Sequence, residues 1–210
     1  MQSIYLAMVN ESITRLNAAE RYLAAHSKSA SLPDLESAIL QIRKALESTA
    51  YAAIAPNKAE YDAFRAKAED QPDFRKDFHA GKILNALTKI NEHFYPIPLL
   101  PAKLRPDGSL HFDRKPSGYL TKKQFESFYD RLGKHLHAHN PWSNNKNLQN
   151  LAADLPQVIQ GLSTLLELHV TFIQTPSFAG CWIVEAPRTG RAPQIINAVA
   201  SPGGFTMQGS

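Results

Sequence analysis

The chain holds one cysteine, Cys181, so no intramolecular disulfide can form. That agrees with a reducing compartment, and a cytoplasmic location is expected. Long apolar runs are missing too. None reaches the ~18 residues of a membrane span, and residues 2–10 are too short and too mixed for a secretory signal. There is no Walker lysine, no dinucleotide glycine fingerprint and no nucleophile elbow, and Gly203-Gly204 has no phosphate-loop pattern around it. No cofactor is therefore expected. Neither sign of charge dominates. Lys plus Arg number 23 against 19 Asp plus Glu, a net +4 that is compatible with an RNA or DNA partner but identifies none.

What is present is helical periodicity. At 210 residues the chain is long enough to bury one core without staples. Residues 2–25 read as a helix with Ile4, Val9, Ile13, Leu16 and Leu23 near one stripe. After a polar connection, residues 34–55 repeat the pattern through Leu35, Ile39, Ile42 and Leu46, with alanines that admit a close neighbour. A shorter helix is predicted over 58–68. Another covers 74–94, with Gly81 as a possible break. Residues 95–120 hold five prolines and the Asp107-Gly108 turn signal, with a short strand at 109–114. A last helix is predicted over 148–174, bent or restarted at Pro156. Strands at 181–184 and 194–199 flank Arg188-Thr189-Gly190-Arg191 and form a hairpin. The fold class expected is mainly α: a helical bundle over 1–175, a β-hairpin over 176–204 appended to the same domain, and a frayed tail at 205–210.

Chemistry-bearing side chains concentrate in residues 121–142. Thr121 and Gln124 have capping-box spacing, and Phe125, Phe128, Leu132 and Leu136 follow at helical intervals. Pro141 cannot continue the helix, which is expected to end near His139. Its last turns carry Arg131, Lys134, His135, His137 and His139, followed by Asn140 and Trp142. An imidazole transfers protons near neutrality, and a guanidinium matches phosphate geometry. In an unbroken helix Arg131 faces His135, whereas residues six apart lie roughly 240° around the axis. His137 meets Arg131 only where the helix end unwinds or a second subunit contributes. The plainer alternative pairs Arg131 with Asp130 or Glu126 and leaves His137 as a helix cap. His135 and His139 share a face as a solvent-facing pair. No acidic residue follows at ligand spacing, so no metal is expected.

Lys122, Lys123, Lys134 and Lys146 could form a basic rim, and Tyr95, Tyr119, Tyr129 and Trp142 could stack bases. A solvated face and core packing are the commoner fates of such residues. His79 and His111 read as packed or surface side chains, His169 as a semi-buried residue of the last helix, and Cys181 as core.

The run Arg131-Leu132-Gly133-Lys134-His135-Leu136-His137, near a helix end in an all-α bundle, resembles the Arg-x(4–6)-His motif of the HEPN (higher eukaryotes and prokaryotes nucleotide-binding) superfamily. The run Arg43-Lys44-Ala45-Leu46-Glu47 looks like part of an early helix of such domains. Leu136 to Trp142 is similar to the Leu-His-Ala-x-Asn-Pro-aromatic ending of an uncharacterised bacterial group. The resemblance covers about half of the chain. It implies a metal-independent endoribonuclease of toxin–antitoxin or antiphage defence, working as a homodimer whose two motifs form one site. Arg131, His137 and Asn140 would be catalytic, while Lys134, His135, His139 and Trp142 would bind substrate. RNA is the implied partner, with an antitoxin or other protein as a further one. The alternative is the same fold as a non-catalytic dimeric adaptor for nucleic acid, a nucleotide or a protein.

Overall fold

The computed structural model describes residues 1–69, 72–136, 142, 148–175 and 178–201, of which 175, 178 and 197–201 are described by backbone alone. The first helix, α1 (Gln2–Ser29), runs a turn beyond its expected end. It stops at Ala30, whose left-handed backbone (φ 53°) lets its N–H reach the His26 carbonyl at 2.7 Å. Ser31 then caps α2 (Leu32–Ile54) by accepting the Asp34 N–H, and Pro33 occupies the first turn. This tight reversal folds α2 back along α1. Ser12 Oγ, three turns into α1, lies 3.1 Å from Thr49 Oγ1 in the last two turns of α2. Ala38, Ala45 and Ala52 are buried on α2, as close helix approach requires.

The helix expected over 74–94 is instead a single 3₁₀ turn at Phe74–Lys76 and a separate helix, α4 (Ala80–Ile90), preceded by α3 (Lys58–Arg65). The break falls at extended Asp77 and His79, ahead of Gly81. The imidazole of His79 replaces a conventional cap by accepting the Lys82 N–H. At the far end of α4, buried Asn91 donates to Asn57 Oδ1 (3.0 Å) and to the Phe172 carbonyl (3.1 Å), tying α2, α4 and the sheet together.

The proline-rich stretch contains three two-residue strands, β1 (Ile97–Pro98), β2 (Lys103–Leu104) and β3 (Leu110–His111). The expected strand at 109–114 shrinks to β3, paired with β2 around a turn in which Gly108 takes φ 82°. Then come α5 (Lys122–Gly133) and α6 (Leu148–Glu167), the latter with Pro156 inside it.

The largest correction concerns residues 168–175. They form a strand, β4 (Leu168–Thr175), and do not continue α6. Val170-Thr171-Phe172-Ile173 is dense in β-branched and aromatic side chains, which lose rotamer freedom in a helix and pack well on a pleated surface. The register with β5 (Phe178–Glu185) is continuous from Leu168↔Glu185 to Thr175↔Phe178. The expected hairpin, β5 with β6 (Gln194–Ser201), is present but belongs to a four-stranded antiparallel sheet of order β1-β4-β5-β6. The fold is mainly helical with a small antiparallel sheet toward the C-terminal end.

The main core is built from α1 through α6, with Leu16, Ile39, Leu46, Tyr61, Leu84 and Phe125 all buried. A second cluster joins Tyr5, Val9 and Ile13 of α1 to Trp182 and Val184 of β5. The alternate β5 residues, Cys181 and Ile183, pack on the other face with Leu99 and Val170, so the strand is covered on both sides. Cys181 is buried, as expected. His169 is fully buried in β4, not semi-buried on a helix. Among the described residues no helix is long and apolar enough to cross a membrane.

Candidate nucleic-acid site

Helix α5 carries the candidate residues, and its position is set by one face. Phe125, Tyr129 and Leu132 are buried in the main core. The capping box is complete: the Thr121 hydroxyl accepts the Gln124 N–H, and Gln124 Oε1 accepts the Thr121 N–H at 3.0 Å. At mid-helix the Arg43 guanidinium from α2 lies 3.9 Å from the centre of the Tyr129 ring. It donates to the Tyr129 carbonyl (3.0 Å) and hydroxyl (2.7 Å), and that hydroxyl donates to Glu47 (3.0 Å). Burial, reinforced by the Glu47 carboxylate, pushes the Tyr129 hydroxyl up to about 12. A Cβ at Gly133 would stand 2.5 Å from Arg43 Nη1, so a larger residue there has to displace the Arg43 guanidinium.

Helix α5 ends at Gly133, two turns before the expected end near His139, and Lys134 to Leu136 continue as a turn. Arg131 Nη2 donates to Asp154 Oδ2 of α6 at 2.7 Å, and its guanidinium carbon lies 5.1 Å from the centre of the Phe128 ring. The carboxylate partner is therefore neither Asp130 nor Glu126. Glu126 takes Lys122 at 2.9 Å, and Asp130 stands 4.0 Å from His79. Arg131, Lys134 and His135 line one cavity of about 300 Å³ with Asn150 and Leu151 from the first turn of α6. That turn presents the positive end of the α6 dipole. Burial lowers the His135 imidazole below its ordinary range, and the neighbouring charges of Arg131 and Lys134 add to the effect. At neutral pH the ring is uncharged, with one nitrogen able to accept a proton.

The structure thus brings Arg131, Lys134 and His135 together. His137, His139 and Asn140 lie outside the described residues, as does Lys146. Trp142 is described and is 91% exposed. The base-stacking candidates Tyr95 and Tyr129 are instead committed to packing: the Tyr95 hydroxyl donates to the Leu120 carbonyl at 2.8 Å, and Tyr129 is buried in the Arg43 network.

Asp154 and the contact of Arg43 with Tyr129 were not legible in the sequence. Asp154 stands 23 residues from Arg131, and only the packing of α6 on α5 brings it near. Arg43 had a legible signal, a long cation four residues before Glu47 on a helix face, but its span of 86 residues to Tyr129 did not. No family model matches the chain, and neither a curated protein nor a solved structure matches it.

Proposed function

We propose that the chain is a metal-independent endoribonuclease of HEPN type, acting as a homodimer in bacterial or phage defence. The observation that carries this reading is the shared cavity of Arg131, Lys134 and His135, which gathers a guanidinium, an ammonium and an uncharged imidazole where α5 meets the start of α6. These are the groups that cleavage of an RNA diester through its 2′-hydroxyl requires. Arg131 holds the scissile phosphate and stabilises charge on the phosphorane. A neutral imidazole takes the 2′-hydroxyl proton as that oxygen attacks phosphorus. The bond from phosphorus to the 5′-oxygen breaks, and a protonated group returns a proton to the leaving oxygen. The products are a 2′,3′-cyclic phosphate and a 5′-hydroxyl. The motif resemblance assigns proton transfer to His137 and positioning to Asn140, with Lys134, His135, His139 and Trp142 on the flanking nucleotides. A second subunit supplies the second imidazole of the acid–base pair.

A second reading is favoured by one contact, Arg131 to Asp154. A guanidinium already engaged by a carboxylate is a weaker phosphate ligand, which suits a non-catalytic module that contacts nucleic acid, a nucleotide or a protein. Incubation of the purified chain with mixed RNA and EDTA separates the two. The first reading expects fragments with cyclic phosphate ends, and expects their loss in His137→Ala with the helical circular-dichroism signal intact. Equal cleavage by that variant removes His137 from the chemistry, and intact RNA with the unaltered chain leaves the binding module.

A further inference from the structure

A second cationic feature lies between α3 and the start of α4. The chain there closes a cleft of about 150 Å³ lined by Tyr61, Arg65, Lys76, Asp77, His79 and Lys82, with Phe78 on its rim. Three of these side chains are cationic and one is a carboxylate. Asp77 is already engaged, accepting from the Tyr61 hydroxyl at 2.8 Å and lying 3.1 Å from Arg65 Nε. The wall therefore carries an excess of 3 − 1 = 2 positive charges before His79 is counted. Among the described residues neither Lys76 nor Lys82 has a carboxylate at ion-pair distance, unlike Lys103 and Lys122. Helix α4, 11 residues long, points its first turn here, and the His79 imidazole caps only the Lys82 N–H. Phe78 is 70% exposed beside the opening, where its ring is free to take a flat group against it.

We infer that this cleft binds the phosphate of a small phosphomonoester that carries a planar ring. The phosphate sits among Arg65, Lys76 and Lys82, and the ring lies on Phe78. The charge excess matches a phosphomonoester dianion, and guanidinium and ammonium donors suit its oxygens. A cleft of this size admits a terminal group, whereas a nucleic-acid backbone must enter and leave along an open groove. The site is separate from the α5 cavity, with which it shares no lining residue.

The test is calorimetric titration of the whole chain with inorganic phosphate and with 5′-AMP at constant ionic strength. Both should bind, 5′-AMP more tightly. Lys76→Ala with Lys82→Ala should weaken both by about tenfold or more. Phe78→Ala should bring 5′-AMP down to the level of phosphate, and Lys103→Ala, at an exposed lysine outside both cavities, should leave both unchanged. Should the double lysine variant melt early, Lys82→Gln alone is read in its place, with a smaller loss expected. Absence of binding by both probes at millimolar concentration overturns the inference, as does binding that survives the lysine changes. Binding lost only in Arg131→Ala would place the phosphate in the α5 cavity and also end it. None of these outcomes depends on whether the chain cleaves RNA.

Discussion

Arg131 Nη2 and Asp154 Oδ2 stand 2.7 Å apart, joining the last turn of α5, where Arg131 lines the candidate cavity, to the second turn of α6. Both side chains are more than a third exposed, so the pair contributes at most about 1 kcal/mol to stability. Its larger effect is on ligand binding, because Asp154 places a negative charge where an RNA phosphate is expected. Asp154→Asn should raise RNA affinity by about three- to tenfold at low salt, with the gain shrinking as salt rises. Fluorescence anisotropy with a short labelled RNA reads this directly. Unchanged or weaker binding would remove Arg131 from the phosphate contacts.

The lowered pKa of His135 has a kinetic consequence. If cleavage occurs, the uncharged ring should already predominate below the ordinary imidazole midpoint of about 6.5. A rate that depends on His135 as base should therefore rise with pH and level off at lower pH than an ordinary imidazole would give. His135→Ala should remove that limb, while a variant in which His135 only binds RNA should raise KM and keep the profile. A single-turnover pH series on the two proteins separates these roles.

His169 and Tyr5 make the acid response of the fold itself predictable. His169 Nδ1 lies 2.9 Å from the Leu166 carbonyl, which can only accept, so Nδ1 carries the proton. Nε2 then accepts from the Tyr5 hydroxyl at 2.6 Å. Burial lowers the ring to about 4 from its ordinary 6.5. The folded state thus resists protonation that the unfolded chain accepts. The stabilisation is fully present above pH 6.5 and is lost progressively as pH falls toward 4, by on the order of 3 kcal/mol. Denaturant unfolding at pH 7 and pH 4.5 should show the loss, and His169→Phe should flatten that part of the curve. Tyr5→Phe, which deprives Nε2 of its donor, should cost about 1–2 kcal/mol at pH 7.

Tyr129→Phe should destabilise the chain by about 2 kcal/mol, because Arg43 and Glu47 lose a shared hydroxyl in a mostly buried setting. It should also loosen α5, seen as faster amide exchange around Arg131 than around Ile159 of α6. A variant as stable as the parent would show that the ring over Arg43, and not the hydroxyl, holds the helix.

Much was legible in the residues themselves. The apolar stripes of α1 and α2, the Thr121–Gln124 capping box and the β5–β6 hairpin all follow from local pattern, because helical and strand periods and cap chemistry act within a few residues. The end of α6 was legible too, had the β-branched run at 170–173 been weighed above the apolar period that passes through it. Other features depend on partners far away in the chain. Asp154 neutralises Arg131 across 23 residues, Arg43 reaches Tyr129 across 86, and Tyr5 meets His169 across 164. The early break before α4, which gathers Lys76, His79 and Lys82 around one cleft, likewise took the docking of Tyr61 and Asp77 to define. Sequence alone determined the helical character of α1, α2 and α5, where α5 begins and which residues bear charge. Tertiary structure decided which charges meet, because electrostatic and hydrogen-bond partners are chosen by distance in space and not along the chain.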